Sequence, residues 1–230
     1  MSEQFMRSAA LLGDSAMARL QSARVAVFGV GGVGGYVCEA LVRSGVGALD
    51  VFDKDDVSIT NLNRQIIALH STVGQDKVSV LAARMRDINP EVVIREHKMF
   101  YLPENANEID LTHYDFVVDA VDTVAAKIEL AVRCEAANIP LIAAMGAGNK
   151  LDPTRFRVTD ISKTYEDPLA KVVRVELRKL GINHLKVVFS DEPPVKCGER
   201  TPMSISFIPS VMGLIMAGEV IGEIAKVGGA

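Results

Sequence analysis

The sequence predicts an α/β protein with a Rossmann-like, mostly parallel central sheet and flanking helices. Short runs of β-branched and aliphatic residues alternate with stretches of helical periodicity, the pattern of parallel strands joined by crossover helices. A glycine-rich segment separates the first of these strands from the helix that follows it. Of the 230 residues, 49% are hydrophobic and 23% are charged, which supplies one large core and excludes disordered and fibrous proteins.

Five strands and three helices are predicted in the first part of the chain. Gly29 ends the first strand, Gly45 stops the first helix and Pro90 follows the second helix, as residues that interrupt regular structure commonly do. The predicted strands lie at residues 25–28, 49–52, 92–94, 116–120 and 141–144, and the predicted helices at residues 36–43, 76–88 and 124–137. The last strand completes a regular β-α alternation.

This regular alternation loosens after residue 150. Two predicted strands and one cationic helix follow, at residues 155–158, 185–189 and 169–180. A later apolar stretch, residues 208–227, carries Glu219 and Lys226, so we expect a buried helix and no firm membrane partner, with membrane association of this helix left open. Because no linker or repeat separates the two parts, the sequence predicts a single domain over residues 1–230.

Charge and cysteine content narrow the range of partners and compartments. The formal net charge of −4 excludes a general attraction to polyanions, so any contact with nucleic acid must be a local patch. Cys38, Cys134 and Cys197 are widely spaced and odd in number, which argues against a disulfide framework and a four-thiolate zinc site. Cys38 and Cys134 fall on predicted helices, where small core residues are expected. The N-terminal residues lack the apolar core of a signal peptide, and a reducing cytoplasm fits best.

The glycine-rich segment predicts a nucleotide site. Four glycines, Gly29, Gly31, Gly32 and Gly34, let the backbone turn tightly and approach a phosphate, whose charge meets free amides at the start of a helix. Asp53 ends the second strand, where a carboxylate can bind ribose hydroxyls. Taken alone, this pattern is typical of an NAD-dependent dehydrogenase. Residues 1–150 are therefore interpreted as a nucleotide-binding half, and residues 151–230 as a substrate-facing and C-terminal half.

A second polar and cationic cluster favours ATP over NAD. The stretch from Asn61 to Gln65 and the later Lys77 have no obvious role around a pyrophosphate, but a triphosphate requires such neutralising groups. Asp122 lies beyond the end of a central strand, where open α/β sheets bind ligands. A carboxylate facing phosphates there is best explained by a bridging Mg²⁺. Asp119, by contrast, is expected to hydrogen-bond a turn.

These motifs, in this order, resemble the adenylating domain of the ubiquitin-activating-enzyme superfamily, which includes sulfur-carrier adenylyltransferases. The resemblance implies that Gly31 and Gly32 approach the phosphates and that Asp53 binds the ribose. It also implies a role for three residues in holding the triphosphate and one in holding Mg²⁺, namely Asn61, Arg64 and Lys77, and Asp122. In that superfamily an N-terminal arginine reaches the partner subunit's triphosphate, so the matching Arg7 implies a homodimer with composite sites.

The second half resembles one branch of that superfamily, the tRNA threonylcarbamoyladenosine dehydratases. The likeness is carried by residues 146–154, 158–164 and 167–171. It implies an enzyme that uses ATP and Mg²⁺ to cyclise threonylcarbamoyladenosine in tRNA through an acyl adenylate, releasing AMP and pyrophosphate. Since the nucleophile and the electrophile belong to one side chain, proximity can replace a catalytic cysteine.

The charge distribution is consistent with a tRNA partner. Residues 154–186 carry eight cations and four acids on an otherwise acidic chain, as a local phosphate-binding patch would. The same spacing also fits an ordinary solvated helix face. The residues that we expect to contact tRNA are Arg155, Lys163, Lys171, Arg174 and Arg178.

Three other functions remain open from the sequence. The chain could adenylate the C-terminus of a ubiquitin-like sulfur-carrier protein, with a sulfur-relay protein as a further partner. It could be an NAD-dependent dehydrogenase, which would bind nicotinamide and release no pyrophosphate. It could be a silent dimeric scaffold, although the complete set of cationic phosphate ligands argues against this reading.

Overall fold

The structure, a computed structural model, describes residues 3–199 and 201–226. Its strands are β1 (Arg24–Phe28), β2 (Ala48–Phe52), β3 (Val93–His97), β4 (Phe116–Asp119), β5 (Leu141–Ala144), β6 (Phe156–Asp160) and β7 (Lys186–Ser190). They form one seven-stranded sheet of order β3-β2-β1-β4-β5-β7-β6. Every neighbouring pair is parallel except β6 and β7, which are antiparallel. The predicted Rossmann-like, mostly parallel α/β fold is confirmed.

Seven α-helices flank this sheet in the described part of the chain. They are α1 (Met6–Leu12), α2 (Asp14–Ser22), α3 (Gly34–Arg43), α4 (Lys77–Ile88), α5 (Val124–Ala137), α6 (Pro168–Lys179) and α7 (Phe207–Ala225). Local chemistry sets several of their ends. At the start of α6, for example, Asp167 accepts a hydrogen bond from the amide of Ala170 at 3.0 Å, and Pro168 occupies the first turn.

The last described helix packs back onto the first half of the chain. Met212 and Met216 of α7 are fully buried, and a Cβ added to Gly213 would lie 2.4 Å from the carbonyl oxygen of Val33 just before α3. By length and composition α7 could cross a membrane. Its buried side chains belong to the main core cluster, as the predicted buried helix requires, whereas Leu214 is 48% exposed.

The sheet order places the ends of three strands next to one another. The chain steps outward from β1 to β2 and β3 on one side, and to β4 and β5 on the other. Open α/β sheets bind ligands at such a switch point, beyond the carboxyl ends of the strands. Gly29, Asp53 and Ala120 follow β1, β2 and β4 at this edge.

Candidate functional site

The glycine turn after β1 has no room for side chains at two positions. Gly29 has φ +91°, and a Cβ there would lie 2.6 Å from the carbonyl oxygen of Ala120. A Cβ on Gly34 would lie 1.8 Å from the carbonyl oxygen of Gly29. Glycine is therefore required at both ends of the turn, so that the turn can pack against β4 and lead directly into α3.

The middle of the turn faces two other segments of the chain. A Cβ on Gly32 would lie 3.1 Å from Cγ of Pro209 in α7 and 3.4 Å from Cγ of Arg64. A Cβ on Gly31 would lie 3.8 Å from Nε2 of Gln65. The structure thus brings the glycine turn and the predicted triphosphate-binding stretch together.

Asp53 connects the end of β2 to the glycine turn. Its Oδ2 accepts a hydrogen bond from the amide of Val30 at 2.7 Å, and its Oδ1 accepts one from the amide of Asp55 at 2.9 Å. The carboxylate, which is expected to bind a ribose, also fixes the shape of the turn. This second role was not apparent from the sequence.

Asn61 and Arg64 lie on a compact loop beside the glycine turn. Asn61 is buried, and its Oδ1 accepts a hydrogen bond from the amide of Ser58 at 2.9 Å. Arg64 is half-buried, and its Nη1 donates to the carbonyl oxygen of Thr60 and to Oδ1 of Asn63, both at 2.9 Å. These contacts hold the arginine next to Gly32.

Lys77 begins α4 and is held near the end of β2. Its Nζ lies 3.1 Å from Oδ2 of Asp55 and 3.9 Å from Oδ1 of Asp53, and its side chain is 7% exposed. The lysine is thus held in place by two carboxylates. The sequence pattern predicted the lysine but not its pairing with Asp55.

Gln65 is a further polar residue of the site. It is buried, lies close to Gly31, and its Oε1 has no hydrogen-bond partner within the described residues. A buried acceptor without a donor is costly, so a ligand group that donates a hydrogen bond would be stabilised there. Its position directly after Arg64 was the only signal in the sequence.

Asp122 and Asp119 have different surroundings at the end of β4. Asp122 is exposed, and within residues 3–199 and 201–226 its side chain makes one hydrogen bond, accepted from Thr123 Oγ1 at 3.3 Å. Asp119 is buried and accepts a hydrogen bond from the amide of Val121 at 3.2 Å, which confirms its predicted role in a turn. Asp119 also pairs with Lys127 at 3.0 Å, an interaction that the sequence did not reveal.

Mg²⁺ would fit the environment of Asp122. This ion commonly binds through one or two carboxylates together with substrate phosphates and water. Asp122 offers carboxylate oxygens with little competing protein contact. Among the residues that the structure describes, no group of three or more His, Cys, Asp or Glu side chains could hold a metal ion by itself. The carboxylate is therefore suited to a metal that is shared with phosphates.

Arg7 lies outside this cluster. It belongs to α1, a helix with no buried residue, and it is exposed. Its neighbours Met6 and Leu11 are 64% and 84% exposed. Among the described residues, Arg7 makes no hydrogen bond or ion pair with the glycine turn, and its role at a partner's site stays a prediction.

The predicted tRNA-contacting residues fall into two groups. Lys163, Lys171 and Arg178 are exposed. Arg155 and Arg174 are engaged within the chain, as their hydrogen bonds show. Arg155 Nε donates to Oδ1 of Asp191 at 2.6 Å, and Arg174 Nη1 donates to the carbonyl oxygen of Thr164 at 2.9 Å. The hydrogen bond from Arg155 holds the pKa of Asp191 below its usual range.

Two of the three cysteines are isolated in the core. Cys38 and Cys134 are buried, as predicted, and burial raises the pKa of the Cys134 thiol to about 12. A thiol with so high a pKa is a poor nucleophile at neutral pH. Cys197 is exposed, and its Sγ lies 3.6 Å from Oδ1 of Asn149.

Comparison with known proteins shows the family of the chain. The model of the ThiF family matches residues 2–229. The tRNA threonylcarbamoyladenosine dehydratase of Bacillus subtilis (strain 168) is 48% identical to this chain, over 98% of this chain and 96% of its own length. By contrast, the adenylyltransferase and sulfurtransferase MOCS3-2 of Zea mays is 30% identical over 94% of this chain, which spans 41% of that protein.

Solved structures of a tRNA threonylcarbamoyladenosine dehydratase also match this chain. The crystal structure of the E. coli tRNA N6-threonylcarbamoyladenosine dehydratase, TcdA, in complex with ATP has a TM-score of 0.92 and 35% identity, covering 97% of this chain and 94% of that chain. The structure of the same protein in complex with AMP matches equally well. The chain therefore belongs to the ThiF family, and the Bacillus subtilis and E. coli members that it matches over nearly the whole of both chains are tRNA threonylcarbamoyladenosine dehydratases.

Proposed function

We propose that this protein is an ATP-dependent enzyme that cyclises threonylcarbamoyladenosine in tRNA through an acyl adenylate, releasing AMP and pyrophosphate. The observation that supports the proposal is the packing of Asp53 and Arg64 against a glycine turn at the switch point of the sheet. Lys77 lies near Asp53, and Asp122 follows the end of β4 beside that turn in the chain. The 48% identity to a named dehydratase supports the choice of substrate.

Different residues bind different parts of ATP. Gly31 and Gly32 admit the phosphates to the backbone at the start of α3, where amides and the helix dipole favour negative charge. Asp53 binds the ribose. The cluster that holds the triphosphate consists of Asn61, Arg64 and Lys77, joined by Arg7 from the second chain of a homodimer.

The first chemical step activates a poor electrophile. An oxygen of the threonyl carboxylate attacks the α-phosphorus of ATP, the bond to the pyrophosphate breaks, and an acyl adenylate forms. The urea nitrogen of the same side chain then attacks the acyl carbon, loses its proton and expels AMP, which carries away the carboxylate oxygen. Because the two groups are tethered, effective molarities of about 10⁵ M or more are available without an enzyme thiol.

The main electrostatic obstacle is the approach of one anion to another. Two unit charges about 4 Å apart repel by roughly 4 kcal/mol at an effective dielectric of about 20. Arg64 and Lys77 lie where they can offset this repulsion and the charge that develops on the leaving pyrophosphate. Asp122 would hold Mg²⁺, which supplies further positive charge at the phosphates when bound.

The tRNA is bound by the cationic second half. Lys163, Lys171 and Arg178 are exposed and can contact phosphates directly. Arg155 and Arg174 contact phosphates either with their internal hydrogen bonds intact or after breaking them. A cationic surface of this kind gives affinity that depends on salt rather than on sequence. A tRNA substrate and free cysteines together suit the cytoplasm.

One assay tests the reaction. The protein is incubated with ATP, Mg²⁺ and tRNA that carries threonylcarbamoyladenosine, and AMP and the mass of the modified nucleoside are measured. We expect AMP and the loss of one water from the base. Formation of ADP, or AMP without a change in the base, would contradict the proposal. A parallel reaction with tRNA that lacks the modification serves as the control.

Activation of a sulfur-carrier protein is the less favoured alternative. Its support is the 30% identity to a MOCS3 adenylyltransferase, of which this chain spans less than half. It predicts that AMP formation is stimulated by a small carrier protein with a C-terminal glycine and not by tRNA. Adding such a carrier, or a sulfur-relay protein, to the same assay separates these partners from tRNA.

A further inference from the structure

Lys127 is a charged residue enclosed in the protein, outside the predicted ATP motifs. Its side chain is 0% exposed and that of its partner Asp119 is 1% exposed. Nζ donates to the two carboxylate oxygens of Asp119 at 3.0 and 3.1 Å and to the carbonyl oxygen of Ala144 at 2.6 Å. An ammonium group has three protons, and all three are used here. Lys127 is therefore occupied by the protein and does not serve as a phosphate ligand.

A buried ion pair is an inefficient way to stabilise a fold. The cost of removing two charges from water offsets much of their attraction, and an apolar pair of similar volume often does equally well. This pair differs from an ordinary buried ion pair because the carboxylate of Asp119 also binds the backbone amide of Val121. Oδ1 of Asp119 also accepts the amide hydrogen of Val121 at 3.2 Å, so the carboxylate shapes the backbone directly before Asp122.

The same backbone segment is held from its other side by the glycine turn. The amide of Ala120 donates to the carbonyl oxygen of Phe28 at 2.8 Å, and the missing Cβ of Gly29 leaves space for the carbonyl oxygen of Ala120. These contacts and the carboxylate of Asp119 fix the peptide groups on both sides of Ala120, two residues before Asp122. Asp122 itself is exposed and makes little contact of its own.

We propose that Lys127 is a positioning residue: it holds the Asp119 carboxylate against the amide of Val121 and thereby directs the Asp122 carboxylate toward the nucleotide. Asp119 and Lys127 act on the site only through the backbone, and neither touches the substrate. The inference rests on the proposed role of Asp122 in holding Mg²⁺. It adds that the affinity for Mg²⁺ depends on a buried hydrogen-bond acceptor, Oδ1 of Asp119, which binds the amide of Val121.

Two double variants separate positioning from stability. Asp119→Asn with Lys127→Met removes both buried charges but retains an oxygen that can accept from Val121. Asp119→Leu with Lys127→Met removes both charges and that acceptor. Neither leaves an unpaired buried charge, so both should fold. Asp119→Ala with Lys127→Met is a second acceptor-free version in case leucine is too large.

The measurement is the dependence of ATP binding on Mg²⁺, followed by calorimetry without tRNA and therefore without turnover. We expect the acceptor-free variants to need about tenfold more Mg²⁺ for half-maximal enhancement of ATP affinity, the equivalent of one hydrogen bond. We expect the Asn-containing variant to stay within about threefold of the parent. Thermal unfolding of each variant reports whether the fold is retained.

The outcomes are distinct. If folded acceptor-free variants respond to Mg²⁺ as the parent does, or if the Asn-containing variant is equally impaired, Lys127 and Asp119 are structural only and the inference is wrong. If the parent itself binds ATP equally with and without Mg²⁺, the proposed metal role of Asp122 fails, and the inference fails with it. Activity of the parent on modified tRNA would still stand in that case.

Discussion

The carboxylate of Asp53 accepts a hydrogen bond from the backbone amide of Val30 at 2.7 Å, so the end of β2 fixes the glycine turn at the end of β1. Asp53→Ala removes this bond. We expect it to weaken ATP binding by about 10- to 100-fold, the usual value of a hydrogen bond to a charged group. Calorimetry checks this, with Asp14→Ala on α2 as a control that should bind normally. Unchanged ATP affinity in Asp53→Ala would show that the glycine turn keeps its conformation without the hydrogen bond from Val30 to Asp53.

Lys77 and Asp55 form an ion pair whose two members can be replaced separately. Lys77→Met should lower the rate of AMP release by about 100-fold or more, because it removes a cation from the leaving pyrophosphate. Asp55→Asn removes the nearest anion, at 3.1 Å, but leaves the cation, so most activity should remain. Steady-state assays of both variants check the assignment. Equal damage in the two would indicate that the pair itself, and not the lysine, is required.

Asp122→Ala is expected to abolish AMP formation while leaving the thermal unfolding temperature within a few degrees of the parent. The side chain is exposed and makes one long hydrogen bond, so little stability depends on it. Measurement of AMP release together with thermal unfolding checks both parts. Persistent AMP formation would remove Asp122 from the proposed metal site.

The exposed cations of α6 should govern tRNA affinity. Lys171→Glu, alone and with Arg178→Glu, is expected to weaken tRNA binding and to reduce its salt dependence by roughly one unit of logarithmic slope per lost phosphate contact. Arg174 is unsuitable for this test because it also supports Thr164. Arg95→Glu is the matched control, as it changes an exposed charge on β3 at the far side of the sheet. Equal effects of Lys171→Glu and Arg95→Glu would assign α6 to plain solvent exposure.

Asp191 gives a pH dependence with a defined sign. The hydrogen bond from Arg155 lowers the pKa of this carboxyl, and Tyr165 also donates to it, at 3.0 Å. A lowered pKa in the folded state contributes stability above the unfolded value of about 3.9, and this contribution is lost as the pH falls through the folded value. Asp191→Asn should therefore be less stable than the parent at pH 7. Urea unfolding at pH 7 and pH 3 should show the difference shrinking in acid, and a constant difference would contradict the assignment.

Much of the fold could be predicted because the buried elements carry regular apolar patterns. The helix Val124–Ala137 and the strand Leu141–Ala144 have the predicted bounds, since Asn138 ends the helix in a left-handed conformation. The helices Met6–Leu12 and Asp14–Ser22 were missed. The first of them buries no residue, so it has no apolar periodicity to reveal it.

The sequence predicted the site residues that belong to a local motif. It did not predict the side-chain pairs that form between separate elements of the fold. Gly29 and Gly34 are required by close approach of the backbone, and that requirement is visible as a glycine pattern. The pairing of Arg155 with Asp191 joins residues far apart in the sequence. Lys127 and Asp119 are near in sequence but meet only because α5 folds back over β4, which no local pattern specifies.

The contact between Gly32 and Pro209 has a consequence for how the protein is made. The glycine turn leaves the ribosome early, whereas α7, whose first turn lies against it, emerges much later. Until then this side of the glycine turn is uncovered. The earlier elements must therefore hold together by their own packing until α7 is released.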